Sequence, residues 1–372
     1  MTKSPRLAAV SVLTGALLSV SPSASRAGTA RPADGPPGPG VSGGATSDAV
    51  PGPGLRERSP GRTGEPDGRI GRADRPGGRP RLSPLPGRDA AGPAVHPMAD
   101  SRTDRERLLR WWTPTRMRRA RPLDGLVALA AARGLVPGGR PAETPASTPS
   151  TGAAWTSGGR VAQTIGRVFF LYAGRPASCS GDAVTSGNQS TVITAGHCVR
   201  LDGAWHTDWM FVPGYHDGQA PYGKWTAART LTTPQWEAHE DLDYDVGAAT
   251  VDPQEGRTLT SVVGGQGIAF NQPRRRPMYA FGYPAQAPYD GSRLVYCSGR
   301  AKDDTKSHDI GLTCDMTAGS SGGPWFLGFD ARTGAGTQNS VNSFKYNADP
   351  NVMFGPYFGA AVKALYDKAQ NT

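Results

Sequence analysis

The chain has 372 residues, 50 Gly, 34 Pro and a formal net charge of +10. A charge of that size spread over one folded domain would point to nucleic acid or an acidic surface, but its distribution is uneven. Residues 28–150 carry 20 Arg against 12 acids, whereas residues 151–372 carry 18 Lys and Arg against 19 acids, so the part with folding potential has no electrostatic hold on nucleic acid.

Met1 to Arg6 is short and basic, Leu7 to Val20 is apolar, and Ser25-Arg26-Ala27 places small residues where a signal peptidase reads. Residues 1–27 are therefore expected to be a signal peptide. No other stretch is long and apolar enough to span a bilayer, so a secreted, extracellular protein without a membrane anchor is expected. Residues 28–159 read as a pro-segment. From 28 to about 100 it is Pro/Gly/Arg-rich, too poor in large apolar residues to offset its ordering entropy, and is expected to be disordered. Residues 101–136 hold Leu108, Leu109, Trp111 and Trp112 and then an Ala/Leu-rich run, which predict short helices broken at Pro114 and Pro122 and able to dock on the C-terminal domain. Residues 137–159 read as an exposed linker, and its arginine-rich predecessor could also attach to an anionic cell surface.

From Val161 the texture changes to short apolar runs between turn residues. Strands are predicted at Val168–Tyr172, Ala183–Val184, Val192–Ile193, Met210–Val212, Val246–Val251, Met278–Phe281, Leu294–Cys297, Ile310–Cys314, Pro324–Leu327 and Val341–Phe344. Pro356 to Gln370 predicts one helix, with Phe358, Val362, Leu365 and Tyr366 on one side. Many short strands predict an all-β sandwich or barrels. The four cysteines, all after residue 178 in an exported chain, read as two disulfides with three connectivities open; no C-x-x-C pair favours a zinc site.

Three motifs carry chemistry. Thr317-Ala318-Gly319-Ser320-Ser321-Gly322-Gly323-Pro324 can push one hydroxyl into the open and aim backbone N–H groups at one point, which makes Ser321 a candidate nucleophile and the Gly319 and Ser321 amides candidate oxyanion donors. A serine needs a base and a group that holds the base. Thr194-Ala195-Gly196-His197-Cys198 offers the base and Tyr244-Asp245-Val246-Gly247 the carboxylate. Asp241, Asp243 and Asp245 mimic a calcium loop, but Val246 stands where that loop needs glycine. An α/β-hydrolase elbow would need a histidine after Ser321, and none is present there; a subtilisin order through Asp182 lacks the strand–helix alternation it requires.

TAGHC, D-V-G-A and G-x-S-G-G-P in that order resemble the trypsin-like serine peptidases of the chymotrypsin fold, over about residues 160 to 370. The resemblance implies two six-stranded antiparallel β-barrels closed by a C-terminal helix, a peptidase domain over 160–372, and a triad of His197, Asp245 and Ser321. It favours the pairings Cys179–Cys198 and Cys297–Cys314. It places Asp315 where trypsin carries the acid of its primary pocket, and makes Ser343-Phe344-Lys345 the strand that pairs with substrate backbone. Ser320 replaces the acid that in many members binds the new N-terminal ammonium, a departure shared with the secreted glutamyl endopeptidases, so zymogen activation by that ion pair is not expected. The expected activity is a secreted serine endopeptidase acting on proteins or peptides through an acyl-enzyme, as a monomer without metal or cofactor. The alternative is a catalytically inactive binding module of the same fold.

Overall fold

The computed structural model describes residues 92–99, 101–123 and 150–372; residues 1–27, read as a signal peptide, the stretch from there to residue 91 and the run after Leu123 lie outside them. A strand, β1 (Ala94–Pro97), is followed by α1 (Arg102–Trp111) and α2 (Pro114–Arg119). Ser101 caps α1 by accepting from the Asp104 amide at 3.0 Å, and Thr113 caps α2 through the Arg116 amide at 3.3 Å. Helix α1 ends at Trp111, ahead of Pro114 as predicted, and Pro114 then opens α2, because the first turn needs no N–H from it. The β1 strand corrects the expectation of disorder up to about residue 100. A segment too polar to build its own core can still be held by backbone bonds to an existing strand edge.

The first barrel comprises β2 (Ile165–Tyr172), β3 (Arg175–Val184), β4 (Thr191–Thr194), β5 (Thr207–Pro213), β6 (Trp225–Thr232) and β7 (Gly247–Val251). Antiparallel pairing runs β2–β3–β4–β7–β6–β5 and returns to β2, so the sheet closes on itself. The β5–β6 seam is its narrowest, with only Phe211 opposite Trp225 and Met210 opposite Thr226. Beyond that point β1 takes over the edge of β6, Ala94 to Pro97 lying opposite Thr232 to Arg229.

The second half contributes β8 (Pro277–Gly282), β9 (Val295–Arg300), β10 (Ile310–Thr313), β11 (Pro324–Asp330), β12 (Ala335–Val341), β13 (Phe344–Tyr346) and β14 (Asp349–Gly355). One sheet orders them β12–β11–β8–β9 and a second pairs β10, β14 and β13. The Cys297–Cys314 disulfide and the Ser343 N–H···O=C Phe354 bond tie the two sheets together. The predicted Val341–Phe344 strand is thereby broken at Asn342 and Ser343, which leave β12 to join the second sheet. The C-terminal helix α3 (Ala360–Gln370) starts four residues later than predicted, but Phe358, Val362 and Leu365 are buried as expected, against the first barrel.

Among the described residues there are three apolar clusters: one inside the first barrel and under α3, one in the second half around Met278, Leu312 and Trp325, and one between them. The middle cluster joins Phe169, Met210 and Val212 to Phe281 and Phe326, and takes Leu108, Trp112 and Met117 from the N-terminal helices. Among the described residues no helix is long and apolar enough to cross a membrane.

Residues 150–155, expected within an exposed linker, are seated on β9. Ser150 accepts from the Ser298 amide at 2.8 Å, Ala153–Ala154 pairs with Val295 and Tyr296, and the Trp155 amide donates to Leu294 at 2.8 Å. The Trp155 ring meets Phe281, Tyr296 and Phe329 edge-on at 5.3 to 5.5 Å. Because that ring is half-buried, Trp155→Ala is expected to cost about 2 kcal/mol. Thermal unfolding should show Tm falling by roughly 5 °C; an unchanged Tm would mean the segment is not seated.

Candidate active site

His197 lies on a single turn, Gly196–Cys198, directly after β4. Gly196 permits this approach, since a Cβ there would lie 2.7 Å from the Trp236 ring. Asp245 ends the turn before β7 and has no exposed surface. Its Oδ2 is 2.7 Å from His197 Nδ1 and its Oδ1 accepts the His197 backbone N–H at 2.8 Å. The Ser343 hydroxyl, from the second half, donates to the same Oδ2. An ionised carboxylate can only accept, so this arrangement assigns the proton to Nδ1 and leaves Nε2 with its lone pair.

The turn is held from behind. His206 Nε2 lies 2.8 Å from the His197 carbonyl and its ring stacks on Phe170 at 4.4 Å. Burial lowers the His206 pKa to about 4, so at neutral pH the ring is uncharged and Nε2–H donates. Trp209 Nε1 donates to the Cys198 carbonyl at 3.1 Å. Cys179–Cys198 is a disulfide, as the resemblance favoured. Their sulfurs sit close to His197, but bonded to each other they are not thiolates and cannot serve there as metal ligands.

Ser321 sits in a turn whose glycines are required: Gly319 has φ +97° and Gly322 φ +79°. A Cβ on Gly322 would strike Thr194 Oγ1 at 2.1 Å, so the turn is pressed against the strand that leads to His197. Two neighbours grip it. On one side the Ser180 amide donates to the Ser321 carbonyl at 2.8 Å and the Ser180 hydroxyl to the Gly319 carbonyl at 2.9 Å. On the other, Asn342 accepts from the Gly322 amide at 2.8 Å and donates to the Ser320 carbonyl at 2.9 Å. The Ser321 carbonyl is 3.7 Å from Cys198 Sγ, next in sequence to His197. Ser320 is buried and its hydroxyl donates to Thr317 O at 2.9 Å, while the Val161 amide donates to Gly334 O.

The remaining candidates divide. Ser343, read as a substrate-strand residue, donates to Asp245, a contact that spacing could not reveal. Asp315 is exposed; its Oδ1 accepts from Tyr289 OH at 2.6 Å and its amide donates to Thr151 O. Lys345 Nζ donates to the Cys314 and Pro350 carbonyls, both at 2.7 Å, and burial lowers its pKa to about 8 against the opposing pull of Asp315. Asp182 is buried in β3 between Ile165 and Ile193, and burial pushes its carboxyl well up. Asp243, expected in a solvated loop, holds His308 as Asp245 holds His197, through N–H to Oδ1 at 2.7 Å and Nδ1 to Oδ2 at 2.8 Å. The His308 side chain is 89% exposed, whereas that of His197 is 9% exposed, so burial and not the pairing distinguishes the two.

No protein-family model matches the chain. An 82-residue stretch is 33% identical to a Bacillus subtilis (strain 168) protein named extracellular metalloprotease, covering 22% of this chain and only a quarter of that protein. The protease Anisep from Arthrobacter nicotinovorans is 42% identical, with a TM-score of 0.54 over 56% of this chain and 96% of that one. The thermostable serine protease AL20 from an extremophilic microorganism is also 42% identical, with a TM-score of 0.55 over 57% of this chain and 99% of that one. A structure of a Glu endopeptidase is 17% identical, with a TM-score of 0.49 over 60% and 98%. Identity of 42% along nearly the whole length of two solved proteases, on a fold with a closed six-stranded barrel, makes this chain a peptidase hydrolase that belongs to the trypsin-like serine proteases of the chymotrypsin fold.

Proposed function

We propose that the chain is a secreted endopeptidase in which Ser321, His197 and Asp245 act as one catalytic unit through an acyl-enzyme. The 2.7 Å bond between His197 Nδ1 and a fully buried Asp245 carries this reading, because it fixes the tautomer whose Nε2 can take a proton. Ser321 Oγ attacks the carbonyl carbon of the scissile bond as its proton passes to Nε2. The oxyanion is held by the Gly319 and Ser321 amides, and the imidazolium returns the proton to the leaving amine nitrogen as the C–N bond breaks. Water then cleaves the ester by the same steps.

The two disulfides and the apolar leader support export. Residues 28–159 would be a pro-segment, of which residues 150–155 are seated on β9. Asp315 would contribute to the primary pocket as part of a group with Tyr289 and Lys345 rather than as a lone carboxylate.

A fluorophosphonate should label Ser321, and Ser321→Ala or His197→Ala should each remove roughly 10⁴- to 10⁶-fold of the rate. Peptidase activity in purified Ser321→Ala would sink the assignment, and an unlabelled but folded wild type would favour the binding module. Ser343→Ala removes a donor from a buried carboxylate, so kcat should fall roughly ten- to a hundredfold, with KM changed less.

His206 gives a pH signature. Its folded pKa of about 4 lies below the ordinary value of 6.5, so between these values the unfolded state binds more protons. The His206 contribution to stability therefore falls as pH drops through 6.5 toward 4, by an amount on the order of 3 kcal/mol, while the buried carboxyls of Asp182 and Asp309, whose pKa burial raises, contribute with the opposite sign. Denaturant titrations of wild type and His206→Phe at about pH 7 and about pH 4.5 check this: the stability of the wild type relative to the variant should fall between the two pH values, and an unchanged difference would remove the His206 contribution.

A further inference from the structure

β3 has one edge that is only partly used by the barrel. From Arg175 to Asp182 its first edge pairs with β2, whereas its second meets β4 only from Asp182 to Val184. At Ala177 and Ser178 that second edge is taken by Arg121–Pro122 of the N-terminal segment, in parallel register. Two residues further along β3, Ser180 holds the Ser321 carbonyl. The Ser321 turn is thus flanked by Asn342, next to Ser343, on one side and by Ser180, two residues along β3 from Ser178, on the other. An extended peptide entering along Ser343-Phe344 and reacting at Ser321 would leave along the edge of β3 that Arg121–Pro122 occupies.

We propose that residues 118–123 are a built-in competitor for the leaving-group side of the substrate cleft, held in place by the rest of the segment. This rests on Ser321 being the nucleophile. The segment end is held at Ser178 and Leu123 and faces the Ser321 turn across an open space. Ser178 Oγ lies 3.4 Å from the Arg121 carbonyl and is itself oriented by the buried guanidinium of Arg167. Leu123 is fully buried in the cluster that contains Cys179 and Cys198. Arg118 to Pro122 form one wall of a cavity of about 380 Å³, whose other wall is Ala285 and Gln286. That second wall is joined to the Ser321 turn, since the Ala285 amide donates to Ala318 O at 2.7 Å.

The anchor lies further back. Trp112 is buried, with Nε1 donating to Asp208 O at 2.9 Å, and Lys224 Nζ donates to the Leu109 and Trp112 carbonyls at 2.6 and 3.2 Å. Arg105 pairs with Asp252 and Arg107 with Asp208, at 3.5 and 3.3 Å. These contacts lie outside the cleft, so the anchor can hold while the end competes with peptide. Cleavage after Leu123 would not by itself release a segment bound in this way.

The test uses the full chain and two substrates, a short peptide ending in a chromogenic amide and a peptide with three residues beyond the scissile bond. Leu123→Asp puts a charge into an apolar site. It is expected to raise kcat/KM for the longer peptide roughly tenfold, the worth of one or two backbone bonds, while leaving the short substrate unchanged. The second arm does not depend on that variant folding. Two neighbours whose chains are almost fully covered by under three-fifths of this one indicate that residues 150–372 can fold alone. A synthetic peptide of residues 92–123 added to that part should inhibit cleavage of the longer peptide only, and one ending at Ala120 should inhibit much less. Equal effects on both substrates, or no inhibition by the 92–123 peptide, would overturn the proposal. Absence of turnover with either substrate in residues 150–372 would instead remove the Ser321 reading beneath it.

Discussion

A carboxylate with no exposed surface must find its hydrogen bonds inside the protein, and Asp245 finds three: two from His197 and one from Ser343. Charge-assisted bonds of this kind contribute roughly 1.5–3 kcal/mol each, which a buried charge needs to offset desolvation of several kcal/mol. Among the described residues no arginine or lysine is paired with it, so neutral donors must be held in place by the fold. Two of those donors come from the turn after β4 and the third from the break after β12. The electrostatic demand of one side chain therefore couples the two halves.

The Ser321 turn meets a similar demand by different means. It carries no charge, but its carbonyls face inward and need partners, and Ser180 and Asn342 supply them from opposite directions. Gly322 and Gly323 leave no room for a Cβ against Ser180, Thr194 and Phe281. The same closeness that forbids side chains brings Ser321 beside the disulfide next to His197.

The candidate site could be read because its residues stand in short motifs, whereas its supports do not. Ser180 and His206 look like an ordinary strand serine and one of six histidines, and only tertiary contact gives them roles. Strands with long apolar runs, such as β2 and β8, could be read from pattern. β6 could not, because Thr226, Thr230 and Thr232 are buried in place of aliphatic residues. β1 and Ala153–Ala154 were missed for another reason: short edge strands are held by backbone bonds, which leave little trace in side-chain composition. Trp155 was the one available signal for the latter, a large aromatic inside an otherwise polar run.

The narrow β5–β6 seam has a consequence for how the molecule comes together. Closing a barrel is a non-local event, and non-local pairings are slow because loop entropy is lost before contacts compensate for it. The N-terminal segment reaches both sides of this seam, with β1 along β6 and Trp112 bonded to the Asp208 carbonyl on β5. It is also made before either strand. A splint docked before β5 and β6 meet would lower the search each must make for the other, and contacts of β1 and Trp112 are placed to act in that way.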